Sequence, residues 1–235
     1  MGSNGEERVA VFIRHGQSEW NRTDRFTGWA DIDLNATGRD EAAAAGKRLA
    51  AAGFAFDEAH VSMLKRTRQT AAALLAAGGW TDVPIHETWR LNERHYGALQ
   101  GMVKQEIFAA WGEEKSRRWW RGYHEPPPAL DLADPRHPRH DPRYRDLDPA
   151  QLPATESLQD CQQRALPYWT ETLAPRIAAG RRLLVVSHGN TLRGLVMHLD
   201  GITPEAMEHV EIPSGVPLVY CFAADLSSAR RSWLD

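Results

Sequence analysis

The sequence predicts an α/β fold, a mainly parallel sheet covered on both faces by helices. Three observations carry that expectation. Strand-like runs alternate with helical patterns along the chain, the order that parallel crossover units require. The strongest strand, Arg181-Arg-Leu-Leu-Val-Val-Ser187, passes directly into the helical pattern His188-Gly-Asn-Thr-Leu-Arg-Gly-Leu-Val-Met-His-Leu199. The length, 235 residues, suits one α/β domain with a sizeable core, so residues 1–235 are read as a single domain.

The elements follow in order. Val9 to Ile13 is short, β-branched and aromatic, and reads as a buried strand. Asn35-Ala-Thr-Gly opens a helical pattern that stops at Gly53. Ala59 to Ser62 is a weaker strand. Arg66-Thr-Arg-Gln-Thr and the alanines and leucines after it form a helix that Gly78-Gly79 ends. Val83 to Thr88 reads as a strand and Lys104 to Tyr123 as one aromatic-rich helix. Residues 124–153 hold Pro126, Pro127, Pro128, Pro135, Pro138, Pro142, Pro149 and Pro153, which rules out regular helix or a central strand and predicts a long insertion. Glu156 to Ala179 returns to helix, and Val216 to Phe222 is the last strand read. No internal repeat is visible.

Composition narrows the function. Apolar residues are 42% of the chain and charged residues 25%, with a net charge of −3, so neither bulk nucleic-acid binding nor membrane-surface binding is expected. Any anion site must be a local basic cluster. Cys161 and Cys221 have no metal-ligand spacing, which suits a reducing cytoplasm. The start, Met-Gly-Ser-Asn-Gly-Glu-Glu-Arg, has neither a signal-peptide n-region nor the myristoylation pattern. No apolar run is long enough to span a membrane.

Two matching elements carry chemistry. Arg14-His15-Gly16 leaves the first strand, and His188-Gly189-Asn190 leaves the strongest one. Ligands of open α/β sheets bind outside the carboxyl ends of the strands, so His15 and His188 should meet there. Gly16 and Gly189 would let backbone N–H groups approach a ligand, beside a helix N-terminus. Arg14 and Arg66 stand at strand ends too. Two histidines, two arginines and helix-start amides suit a dianionic phosphoryl group held without a metal. Histidine can act as the nucleophile, and a cation such as Arg14 would help keep its ring neutral. Glu93, in Trp89-Arg-Leu-Asn-Glu-Arg-His-Tyr-Gly97, is a candidate acid and base if a closed cleft desolvates it. His137-Pro-Arg-His140 lacks companion ligands and is expected to be solvent-exposed rather than a metal site. Trp119 and Trp120 are expected to pack.

Together these residues carry a resemblance. "RHGQSEWN", "FTGWADIDLNATG", "LKRTRQT", "TWRLNERHYGALQG", "LPATESLQD", "RALPYWTETLAPRI" and "SHGNTLRGLVMHLDGI" occur in the order seen in cofactor-dependent phosphoglycerate mutases of the histidine phosphatase superfamily. The resemblance runs from about Val9 to Tyr220. It implies a three-layer fold with a mostly parallel six-stranded sheet, and interconversion of 2- and 3-phosphoglycerate in glycolysis and gluconeogenesis. It implies His15 as the phosphorylated nucleophile, Glu93 as proton donor and acceptor, and Arg14, Arg66, His188 and Asn21 around the phosphoryl group. Thr27, Gly28, Arg94, Tyr96, Lys104, Arg121, Gly189 and Asn190 would bind the rest of the ligand. It implies 2,3-bisphosphoglycerate as primer, no metal, small phosphorylated three-carbon acids as substrates, a homodimer or homotetramer, and a cytoplasmic location.

Two departures accompany it. Where the family has Trp-Arg-Arg-Ser-Tyr, this chain has Trp119-Trp-Arg-Gly-Tyr123, so Trp120 replaces a ligand-facing arginine and Arg117 or Arg118 would have to substitute. The sequence ends at Ser-Ala-Arg-Arg-Ser-Trp-Leu-Asp235, where relatives often continue into a Lys/Ala-rich tail; a less covered site would favour loss of phosphate to water. A phosphatase on the same fold is therefore the alternative enzyme. A non-catalytic phospho-ligand binder is a third class, and the presence of His15 and Glu93 argues against it.

Overall fold

The computed structural model describes residues 7–234. The expectations drawn from residues 1–6 therefore lie outside the described residues. Six strands, β1 (Arg8–Arg14), β2 (Glu58–Ser62), β3 (Ile85–Thr88), β4 (Leu183–Ser187), β5 (Pro217–Phe222) and β6 (Ala229–Trp233), form one sheet in the order β3-β2-β4-β1-β5-β6. The β1–β4, β2–β4 and β2–β3 pairs are parallel, whereas β5 runs against both β1 and β6. The expected mostly parallel six-stranded sheet is what forms.

The adjoining strands β1 and β4 are apolar through Ala10–Ile13 and Leu183–Val186 because both faces are buried. Ala10, Phe12, Leu183 and Val185 face one core with Leu158, Ala165 and Ile177, and with Leu192 and Leu195 of the helix Gly189–Asp200. Val11, Ile13, Leu184 and Val186 face the other with Ala45, Leu49, Ala71 and Leu74. The latter come from α2 (Ala36–Ala51) and α3 (Lys65–Gly78), which follow the short α1 (Glu19–Arg22). A Cβ on Gly46 would lie 2.1 Å from the Leu74 carbonyl oxygen, so a glycine there lets α2 and α3 pack closely.

Three expectations need correction. The helix expected over 104–123 is two, α4 (Lys104–Trp111) and α5 (Glu113–Arg121), because Gly112 adopts φ +80° and turns the chain. The helix expected over 156–179 starts after Ser157, whose hydroxyl caps it. It runs as α6 (Leu158–Tyr168), a π-turn (Trp169–Leu173) and α7 (Ala174–Ala178). Pro175 has no N–H to donate, and the widened turn precedes it. The edge strand β6 was not read from the sequence at all: it carries Arg230 and Arg231, and charge on an exposed edge hides the apolar signature of a strand. The helices Gly189–Asp200 (α8) and Pro204–Met207 (α9) complete the chain before β5.

Residues 124–153 contain only short 3₁₀ turns, at Pro138–His140, Pro142–Tyr144 and Pro149–Gln151, each opened by proline. Tyr144 anchors the segment: it is buried beside Trp29, and its hydroxyl accepts from Asn92 Nδ2 at 2.9 Å. His137 is buried as well, contrary to the expectation of solvent exposure, with its Nδ1 accepting from the Arg139 N–H.

Candidate active site

Parallel register brings the strand exits to one edge. Arg14 pairs with Ser187 and Val61 with Val186, so β1, β4 and β2 end level. The His15 N–H continues the ladder to Ser187 O at 3.0 Å. The rings of His15 and His188 consequently meet edge to face, 4.9 Å apart.

His15 is held in one tautomer. Arg66 Nε can only donate, and it reaches His15 Nε2 at 3.2 Å, so that nitrogen carries the lone pair. Nδ1 then carries the proton and donates to Gly16 O at 2.7 Å. Burial, followed by the Arg66 and Arg14 charges, holds the ring well below the ordinary histidine range. The sequence argument named Arg14, but burial is the larger cause. Arg66 is itself buried, and its other nitrogens donate to Ala30 O and Gly28 O, both at 2.8 Å. Burial lowers it to about 10, still cationic at neutral pH.

His188 is fully buried, and its Nε2 lies 2.8 Å from Ser62 Oγ. Burial first, then Arg66, lowers its pKa well below the ordinary range. Glu93 is brought in by the loop after β3. Its Oε1 accepts from the Arg94 N–H at 2.8 Å and from the Asn190 N–H at 3.2 Å, which puts the carboxylate at the positive end of α8.

These groups border a cavity of about 260 Å³ lined by Arg14, His15, Asn21, Thr27, Gly28, Arg66, Glu93, Tyr96, Lys104, Arg121, Gly189 and Asn190. All twelve were singled out in the sequence. Asn21 Oδ1 is engaged by the Ser18 N–H and hydroxyl in a capping box, so its amide NH₂ is what it can offer a ligand. Asn190 Nδ2 donates to Tyr96 OH at 3.0 Å. Arg121 is paired with Glu211 and stacks over Trp120. Lys104 is paired with Asp24, with its Nζ 4.9 Å from the centre of the Trp120 ring.

Two candidates do not line the cavity. His188 packs behind His15. Arg94 is buried over the Tyr96 ring and donates to Trp120 O at 2.6 Å, fastening the end of α5. Gly16 has another role than the one expected. Its N–H donates to Thr70 Oγ1, and a Cβ there would lie 2.1 Å from Gly38 O, so the glycine lets β1 exit against α2 rather than admitting a ligand. Arg117 and Arg118 do not substitute at Trp120, because they pair with Glu113, Glu114 and Glu125 away from the cavity. Trp119 and Trp120 both pack as expected, and Trp120 also lines the cavity.

Arg25, Phe26, Arg193, Glu211 and Ile212 also line the cavity and were not singled out. Arg193 had a signal: it stands three residues after Asn190, on the same helical face, and its Nη1 donates to Asn190 Oδ1 at 3.0 Å. Glu211 had none, since its place depends on a loop that returns from α9.

A family model described as histidine phosphatase superfamily, branch 1, matches residues 10–137 and 130–222. The chain belongs to the histidine phosphatase superfamily. A curated relative from Nitratidesulfovibrio vulgaris, named 2,3-bisphosphoglycerate-dependent phosphoglycerate mutase, is 49% identical over 95% of this chain and 90% of its own. Among solved structures, a mycobacterial glucosyl-3-phosphoglycerate phosphatase complexed with VO3 has a TM-score of 0.71 at 21% identity, over 96% of this chain and 97% of that one. YhfR from Bacillus stearothermophilus has a TM-score of 0.70 at 22% identity, over 94% of both chains. These two likenesses are of fold.

In this histidine phosphatase superfamily member, the buried donor Arg14 Nε and the buried ring nitrogen His188 Nδ1 have no protein partner, and neither does Arg193 Nε. Buried polar atoms without partners are rare and need an explanation. Arg14 and Arg193 line the cavity, whereas His188 stands behind His15. Among the described residues no group of three or more His, Cys, Asp or Glu is arranged to hold a metal.

Proposed function

We propose that the chain is a 2,3-bisphosphoglycerate-dependent phosphoglycerate mutase that interconverts 2- and 3-phosphoglycerate through a phosphohistidine at His15. The observation that carries the reading is the 49% identity, over 95% of the chain, to the curated mutase. The geometry supports it. The lone pair of His15 Nε2, released by the Arg66 Nε donor, attacks phosphorus, the bond to the sugar-acid oxygen breaks, and Glu93 delivers a proton to that oxygen. In the reverse step Glu93 takes the proton from the attacking hydroxyl. Arg14, Arg66, His188 and Asn21 hold the phosphoryl oxygens. Lys104, Arg121 and Arg193, with Tyr96, Asn190 and the backbone at Thr27 and Gly28, suit a carboxylate and a second phosphate. 2,3-bisphosphoglycerate supplies the phosphoryl group that primes His15, and the unpartnered donors suit its oxygens.

A phosphatase of the same superfamily is the second reading. Trp120 lines the cavity while Arg117 and Arg118 stay outside it, so a cation that the resemblance calls for is missing. A coupled assay with 3-phosphoglycerate, with and without 2,3-bisphosphoglycerate, separates the two. The mutase reading fails if phosphate is released faster than 2-phosphoglycerate forms. His15→Ala is expected to abolish turnover, and chelators to leave it intact; strong loss in chelator overturns the metal-free mechanism.

The proposal extends to a single domain over 1–235 with 124–153 as its insertion, acting in the cytoplasm as a homodimer or homotetramer. No helix among the described residues is long and apolar enough to cross a membrane. Light scattering tests the assembly.

A further inference from the structure

Behind the two histidines lies a chain of hydroxyls that the reaction outlined above does not use. Ser62, the last residue of β2, is fully buried, as is Thr67 in the first turn of α3. Ser62 Oγ lies 2.8 Å from His188 Nε2 and 2.8 Å from Thr67 Oγ1, and it accepts from the Leu64 N–H at 3.2 Å. A hydroxyl has one proton to give and two lone pairs to accept with. Two arrangements of the chain follow.

In the first, Thr67 donates to Leu64 O, 2.9 Å away, and Ser62 donates to Thr67. His188 Nε2 must then carry the ring proton and donate to Ser62. That leaves Nδ1 with a bare lone pair, which repels a phosphoryl oxygen. In the second, Thr67 donates to Ser62, and Ser62 donates to His188 Nε2. Ser62 then uses its one proton and both lone pairs, and the ring proton sits on Nδ1. That is the nitrogen with no protein partner.

We infer that Ser62 is a positioning residue: with phosphate bound, it donates to His188 Nε2 and so keeps the His188 proton on Nδ1 as a neutral donor to the phosphoryl group. A neutral donor stabilises oxygen charge without adding a third cation beside the His15 nucleophile, where Arg14 and Arg66 already stand. Thr67 supports the arrangement from one step further back. The inference rests on the reading that His188 faces the transferring group, but not on which alcohol accepts it.

The test uses ¹⁵N-histidine-labelled full-length protein with saturating inorganic phosphate, so it needs no mutase turnover. Long-range ¹H–¹⁵N correlation spectra report which ring nitrogen of His188 carries the proton, with assignment by His188→Gln. The expected result is the Nδ1–H tautomer in the wild type and a mixture in Ser62→Ala. Loss of a whole preorganised donor costs about 100-fold or more in kcat. With the Nδ1–H form reduced to about a tenth of the mixture, Ser62→Ala should lower kcat about tenfold with KM little changed, and Ser62→Thr should restore both tautomer and rate. An Nε2–H tautomer in the phosphate-bound wild type overturns the inference, and that outcome needs no variant to fold. An unchanged tautomer and kcat in a folded Ser62→Ala overturn it as well. If the tautomer is as expected but 3-phosphoglycerate is only hydrolysed, the mutase reading fails and the role of Ser62 stands.

Discussion

Replacing Arg164 with methionine should weaken both the fold and the site, through one buried latch. The Arg164 side chain is 5% exposed, and that of its partner Glu156 is 4% exposed. Two bonds join them, Nε to Oε1 at 2.6 Å and Nη2 to Oε2 at 2.9 Å. The same guanidinium donates to the carbonyls of Trp89 (3.2 Å), Arg90 (2.8 Å) and Glu93 (3.1 Å), and Glu156 accepts the His95 N–H at 2.8 Å. The loop that carries Glu93 is thus bolted to α6. Methionine fills similar space but leaves a buried carboxylate without its cation. Such half-broken pairs cost about 3–5 kcal/mol. Against a total of about 5–15 kcal/mol, the variant should fold but lose much of its margin. At roughly 2–4 °C per kcal/mol for a chain of this size, Tm should fall by about 6–20 °C. Urea titration followed by circular dichroism measures the loss. The double variant Arg164→Met/Glu156→Leu removes the stranded charge, so it should be less damaging than the single variant. A loss below about 1 kcal/mol for Arg164→Met, or a double variant as damaging as the two singles added, would refute the latch.

Other outcomes follow from the same geometry. Burial holds His60 at about 4 and His95 at about 3, both below the 6.5 of an unfolded chain. Only the unfolded state takes up these protons as pH falls, so stability is full above pH 6.5 and is lost from there down to about pH 4 and pH 3. The ceilings are about 3 and about 5 kcal/mol; a urea midpoint unchanged between pH 7 and pH 5 would contradict this. Gly16→Ala puts a methyl group where Gly38 O stands, so α2 must shift. A loss of about 1–3 kcal/mol in urea titration is expected, and a neutral result would show that the exit of β1 is looser than drawn. Trp120→Arg should lower KM for 3-phosphoglycerate and reduce phosphate release relative to mutase turnover, because a guanidinium replaces an indole on the cavity wall. An unchanged ratio in the coupled assay would remove Trp120 from the choice between mutase and phosphatase.

By itself the sequence determined the central strands, the alternation of strands and helices, and the two histidine-bearing exits. These signals are local: an apolar run, a helix start, a histidine followed by glycine. From them the meeting of His15 and His188 followed by the geometry of parallel strands. Tertiary structure alone decided what each exit residue touches. Gly16 looked like room for a ligand, but α2, some twenty residues on, is what needs that room. Arg66 looked like a phosphate ligand, and only the fold showed its Nε fixing the lone pair of His15 on Nε2. Arg121 and Glu211 lie far apart in the chain and meet across the cavity. Arg117 and Arg118 stand close to Trp120 in sequence yet pair elsewhere. Side-chain pairing across the sheet edge depends on where distant loops return, and periodicity within one segment carries no information about that.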